Sequence, residues 1–150
     1  MIIPFEPEYR KKYCEMLETV FDSGFLSEGK MLARFEGEFS KFTGLPSAAV
    51  SNGGAALLAL YEYAGVAGKD VVVPSNTFWA TAVAARRAGA NVIYADCNRD
   101  DLCMSLDDLK RKVTKNTKAV CVTHIGGHIA FQIEEIAAFC KEKGLTLIED

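Results

Sequence analysis

Residues 71–94 read VVVPSNTFWATAVAARRAGANVIY, and this stretch decides the fold. Val71-Val72-Val73 is a β-branched run with no polar alternation, which predicts a strand covered on both faces. Residues 78–88 are Ala-rich, carry Arg86 and Arg87 in the last turn and stop at Gly89, as a helix does. Val92-Ile93-Tyr94 then repeats the strand pattern. Strand, crossover helix and strand at this spacing predict parallel strands joined by a right-handed connection.

The same alternation extends outward. Ala119-Val120-Cys121-Val122 and Leu145-Thr146-Leu147-Ile148 have strand length. Ser105 with Asp108 three places on resembles a capping box, opening a helix with Leu106, Leu109 and Val113 inward. Residues 132–143 set Ile133, Ile136, Ala137 and Cys140 on one stripe and terminate at Gly144. Upstream, Leu32, Phe35, Phe39 and Phe42 recur at helical spacing before Gly44, and Tyr9, Tyr13, Leu17 and Val20 do so before Gly24. The pattern is that of an α/β sandwich.

Composition narrows the class. A chain of 150 residues with 49% apolar, 25% charged and 10% aromatic residues excludes disorder, collagen and coiled coil. A net charge of −3 argues against a general nucleic-acid or anionic-membrane binder. No apolar run approaches the ~18–20 residues of a membrane span. The start, Met1-Ile2-Ile3-Pro4-Phe5-Glu6-Pro7-Glu8, lacks the basic opening and apolar core of a secretory leader, so the expected address is cytoplasmic. Cys14, Cys97, Cys103, Cys121 and Cys140 form neither a C-x-x-C pair nor a zinc spacing and read as buried, reduced thiols.

Open parallel sheets bind ligands beyond the carboxyl ends of their strands. That rule nominates Ser51 to Ala55, Ser75 to Phe78, Asp96, Thr123 with His124, and Glu149 with Asp150. In Ser51-Asn52-Gly53-Gly54-Ala55, two glycines let backbone approach a ligand closely at a helix start, which favours a phosphate; an ordinary glycine turn is the alternative. Neither a Walker A loop nor G-x-G-x-x-G is present. Of the adjacent Phe78 and Trp79, one ring can stack on a planar cofactor, unless both pack in the core. Glu149-Asp150 closes an apolar strand, where an Asp can hold a proton on a heterocyclic nitrogen and a solvated strand end is the alternative. His124 and His128 are separated by Gly126 and Gly127, so no helical metal pair and no metal site is expected. Lys110-Arg111-Lys112 reads as a solvated face balanced by Asp107 and Asp108. A phosphate cradle, a flat ring and a terminal Asp together fit pyridoxal 5'-phosphate, a cofactor that works as an electron sink.

The sequence resembles the DegT/DnrJ/EryC1/StrS sugar aminotransferases, which share the aspartate-aminotransferase (fold type I) architecture. The matching stretches are Ser23-Gly24 through Ser27-Glu28-Gly29 with Phe35-Glu36, then Ser51 to Leu57 and Gly68 to Pro74. They continue with Thr77-Phe78-Trp79-Ala80-Thr81, Gly89-Ala90, Asp96, Thr117-Lys118-Ala119, His124 with Gly127, and Ile148-Glu149-Asp150. The resemblance implies a three-layer α/β/α sandwich with a mostly parallel sheet, with residues 1–28 as an N-terminal helix and arm and 29–150 as the first part of a cofactor-binding large domain. It implies that backbone amides of Gly53, Gly54 and Ala55 hold the cofactor phosphate, that Phe78 stacks on the pyridine, and that Asp150 partners its nitrogen. It implies a homodimer that takes an amino group from glutamate and passes it to a keto carbon of a nucleotide-linked deoxysugar. A sugar dehydratase of the same fold, or a non-catalytic binding module retaining it, are the alternatives.

Two departures stand out. Gly54 occupies a position usually held by Thr, so a hydroxyl contact is lost while the backbone contact is kept. His128-Ile129-Ala130-Phe131 replaces the usual small polar continuation. The lysine expected to anchor the cofactor falls a few dozen residues beyond Asp150, so no catalytic residue is assigned and residues 1–150 alone are expected to be inactive.

Overall fold

Val71, Val72 and Val73 are all fully buried, as a strand covered on both faces requires. A computed structural model describes residues 5–150. The opening Met1–Pro4, read above for a leader, lies outside the described residues.

Two compact units divide at Ala49 and Val50. In the first, α1 (Pro7–Ser23) ends at Gly24 and α2 (Lys30–Thr43) ends at Gly44, where the spacing placed them. The aromatic stripe of α2 is exposed, with Phe35 stacked on Phe39 at 5.8 Å between ring centres and Phe39 tilted against Phe42 at 6.2 Å. Cys14 on α1 is exposed and Cys97 half-buried, which corrects the expectation of five buried thiols. Glu36 accepts from the Ala49 amide at 2.9 Å and ties the end of this unit to α2.

The second unit, Val50–Asp150, holds α3 (Gly53–Ala64), β1 (Asp70–Pro74), α4 (Trp79–Arg87), β2 (Asn91–Ala95), α5 (Leu106–Lys112), β3 (Thr117–Val122), α6 (Ile133–Lys143) and β4 (Thr146–Glu149). The sheet order is β2-β1-β3-β4 and every pair is parallel. Successive strand side chains point to opposite faces. Val71 and Val73 therefore join Ala119, Cys121 and Ile148 in one core with Leu57 and Tyr61 of α3 and Ala82 and Ala85 of α4. Val72 joins Val120 and Val122 on the other face with Leu109 of α5 and Ile136 of α6. Two cores on one sheet make the three-layer α/β/α sandwich that the sequence implied.

Each buried valine of β1 adds about 1.5–3 kcal/mol of transfer free energy. Two-sided cover fails for β2, where Tyr94 is 52% exposed, because the strand order puts β2 at the edge. Gly89 ends the α4 crossover at φ +84°, and a Cβ there would press on Ala67 at 3.4 Å, so only glycine fits without strain.

The capping box of α5 is half formed. Ser105 accepts from the Asp108 amide at 3.4 Å, but the Asp108 carboxylate accepts from the Asp96 amide at 2.6 Å instead of closing back on Ser105. It also takes Arg111 at 2.8 Å, so one basic residue of the 110–112 run is paired. At the amino end of the sheet, Asp70 collects Asn91 at 2.9 Å, Asn116 at 3.1 Å and Thr114 at 3.1 Å, clamping β2 and the α5–β3 loop to β1.

Candidate functional site

Beyond the carboxyl ends of β1 and β4 and the starts of α3 and α4 lies a cavity of about 550 Å³. Gly53, Gly54, Phe78 and Asp150 all line it. The chain thus brings together four of the five residues nominated from sequence, from the start of α3, the β1–α4 junction and the end of β4.

The phosphate end is built by α3. Asn52 caps the helix, its Oδ1 accepting from the Ala55 amide at 3.0 Å. That leaves the Gly53 and Gly54 amides, which have no intrahelical acceptor, at the positive end of the helix dipole. A Cβ on Gly53 would meet nothing within 4 Å, so a cradle lies open beside the backbone. Ala55 stands apart: its amide is occupied by Asn52, and its side chain does not line the cavity.

Phe78 is the last extended residue before α4, with ψ at 142°, and this presents its ring outward. Phe78 is 66% exposed and Trp79 64%, with ring centres 5.2 Å apart and planes inclined by 49°. The alternative that both rings pack in the core is therefore overturned, since the core face of α4 is filled by Thr81, Ala82, Ala84 and Ala85.

Asp150 continues the ladder of β4 by one residue. Its amide donates to the Val122 carbonyl at 2.8 Å, and its carbonyl accepts from the His124 amide at 2.9 Å. Its carboxylate Oδ2 accepts from the Thr81 hydroxyl at 2.6 Å. Glu149 points to the other face, where its Oε2 lies 2.9 Å from His124 Nε2. Alternation along the strand thus separates the two acids.

Both histidines are engaged locally. His124 Nδ1 accepts from the Ala130 amide at 3.1 Å, which puts the ring proton on Nε2, toward Glu149. His128 Nε2 donates to the Asp101 carbonyl at 3.0 Å. Burial opposes ionisation of Asp101, but the Phe131 and Cys103 amides on its carboxylate outweigh it and hold its pKa below the usual range. Asp96 lies outside the cavity, accepting from the Cys97 amide at 2.8 Å.

Sequence reasoning assigned no role to Thr81. Thr81 is completely buried, donates to Asp150 and lies 2.8 Å from the Thr77 hydroxyl, which is 3.0 Å from that of Thr123. A signal existed in the three threonines at the carboxyl ends of β1 and β3 and in the first turn of α4. The pairing of Thr81 with an Asp 69 positions away is visible only in three dimensions.

Residues 7–150 match the DegT/DnrJ/EryC1/StrS aminotransferase family. The chain belongs to that family. Among curated relatives, it is 39% identical over 153 residues to the GDP-perosamine synthase of Vibrio cholerae, covering 100% of this chain and 41% of that one. It is 36% identical over 154 residues to the dTDP-4-dehydro-2,3,6-trideoxy-D-glucose 4-aminotransferase of Saccharopolyspora spinosa, covering 100% of this chain and 40% of that one. Among solved structures, Bacillus subtilis NtdA with bound cofactor PMP superposes at TM-score 0.90 and 25% identity, covering 98% of this chain and 36% of that one. This DegT/DnrJ/EryC1/StrS chain spans about two fifths of the length of the curated relatives it matches.

Proposed function

We propose that this chain is the cofactor-binding part of a pyridoxal-phosphate-dependent aminotransferase that moves an amino group from glutamate to a keto carbon of a nucleotide-linked sugar. One observation carries the reading: unengaged helix-start amides, an exposed aromatic ring and a buttressed carboxylate line a single cavity. The names of the relatives support the substrate class, because they include a GDP-sugar and a dTDP-sugar enzyme. The PMP bound in NtdA supports the cofactor.

The residues present fit that cofactor. Gly53 and Gly54 would hold its phosphate by backbone donation, reinforced by the helix dipole. Ala55 joins them only if its amide is shared with Asn52 Oδ1. Phe78 would lie against one face of the ring, and Asp150 would keep a proton on the ring nitrogen. When bound, the group supplies an electron sink for charge developing at the substrate carbon. Asp150 orients and stabilises that sink, and Phe78 with Trp79 shields one side from water.

In this reading residues 29–150 belong to the large domain and residues 1–28 to an arm. The working form is a homodimer in the cytoplasm, a setting that suits five free cysteines. No described helix is long and apolar enough to cross a membrane.

The test supplies the full chain with pyridoxal 5'-phosphate, 15N-glutamate and a nucleotide-linked 4-keto-6-deoxysugar. The proposal expects 15N in the sugar product. A product that has lost a hydroxyl and gained no nitrogen would replace amino transfer with dehydration, and unchanged sugar would favour a binding module.

A further inference from the structure

Asp150 is gripped from both ends by one closed ring of hydrogen bonds. Its backbone bonds to Val122 and His124 bracket Thr123. The Thr123 hydroxyl meets Thr77 at 3.0 Å, Thr77 meets Thr81 at 2.8 Å, and Thr81 returns to the Asp150 side chain at 2.6 Å.

The ring has a direction. A carboxylate only accepts, so the single Thr81 proton is committed to Asp150. Thr77 must then donate to Thr81, and by the same count Thr123 donates to Thr77. Three hydroxyl dipoles line up with their positive ends toward Asp150 and polarise one another. The donor of the last link, Thr81, is fully buried, while its acceptor Asp150 is exposed.

The surroundings add no competing charge of like sign. Tyr61 of α3 and Cys121 of β3 face Asp150 from below, and burial keeps both neutral, pushing the Cys121 thiol up to about 12. Arg87 of α4 lines the same cavity, and Glu149 is turned toward His124. Among the described residues no donor reaches Asp150 Oδ1.

We propose that Thr81, backed by Thr77 and Thr123, is a positioning residue that fixes the Asp150 carboxylate with Oδ1 presented to a protonated ring nitrogen. This rests on the pyridoxal phosphate reading of the cavity. Thr81 acts through Asp150 and touches no reacting atom itself.

The experiment compares wild type, Thr81→Val, Thr81→Ser and Thr77→Val in the full chain. Affinities for pyridoxal 5'-phosphate and for its 1-deaza analogue, which carries C–H in place of the ring nitrogen, give a ratio that reports the Asp150–nitrogen contact. Losing a hydrogen bond to a charged group should cut that ratio about tenfold in Thr81→Val. Thr81→Ser should keep it within about twofold, and Thr77→Val should fall between. An undiminished ratio in Thr81→Val overturns the positioning role. Wild type that binds neither compound, or both equally, defeats the cofactor reading instead. Crystal structures without cofactor decide the Thr81 claim separately: the Asp150 carboxylate should turn away in Thr81→Val, and an unchanged orientation overturns the proposal.

Discussion

The Tyr61 hydroxyl donates to the Thr81 carbonyl at 3.2 Å from a side chain with no solvent exposure. The residue that holds Asp150 is therefore itself braced from α3, across the core that α3 and α4 share. Tyr61→Phe keeps the ring and removes the brace. A loss of about 1 kcal/mol in unfolding free energy is expected by urea denaturation. A variant as stable as wild type would show that the contact contributes nothing.

Asn52 closes the start of α3 and occupies the Ala55 amide. Asn52→Ala should cost about 1 kcal/mol of stability, whereas Asn52→Gly should cost only a few tenths. Thermal denaturation of the two variants separates them. An Asn52→Ala variant as stable as wild type would show that the cap contributes nothing.

Asp150→Asn keeps the shape of the side chain and removes its charge. Amino transfer by the full chain should fall about a hundredfold or more, since the ring nitrogen would lose the carboxylate that holds its proton. Cofactor binding should weaken without being abolished, because the phosphate contacts proposed for Gly53 and Gly54 would be untouched. Wild-type turnover would remove Asp150 from the role of ring-nitrogen partner.

Asp70 makes a different acidic clamp, at the opposite end of the strands. Its Asn91 hydrogen bond, helped by Asn116 and Thr114, holds its pKa below the ordinary carboxylate value, and the Asp96 amide and then Arg111 do the same for Asp108. A carboxyl lowered in the folded state stabilises fully above its unfolded pKa of about 3.9. That contribution disappears as pH falls through the folded value, since the unfolded chain takes up protons first. Unfolding free energy should therefore drop as pH falls from about 5 to 3. Asp70→Asn should be less stable at neutral pH and show a shallower acid slope. The same slope as wild type would dissociate Asp70 from acid sensitivity.

Much of this was legible along the chain because local physics decides it. Val71-Val72-Val73 has apolar side chains on both sides of the pleat, and Arg86, Arg87 and Gly89 mark a helix end without help from the rest of the fold. Gly53, Gly54, Phe78 and Asp150 could be nominated along the chain because the two glycines open α3, Phe78 precedes α4 and Asp150 follows β4. What stayed hidden depends on register and distance. The Asp108 carboxylate leaves its own cap for the Asp96 amide only because β2 ends beside α5. The Thr81–Asp150 bond needs β4 seated beside β3 before the two residues can meet. The engagement of the Ala55 amide was hidden for a local reason: Asn52 has an oxygen in reach of it.

Trp79 is the only tryptophan among the 150 residues and lines the cavity beside Phe78, so the emission lost in Trp79→Phe reads that site. The full chain should show saturable quenching with pyridoxal 5'-phosphate, and pyridoxal without the phosphate should bind at least about tenfold more weakly because the Gly53 and Gly54 amides lose their anion. No saturable quenching, or equal affinity for the two compounds, would contradict a phosphate cradle at the start of α3.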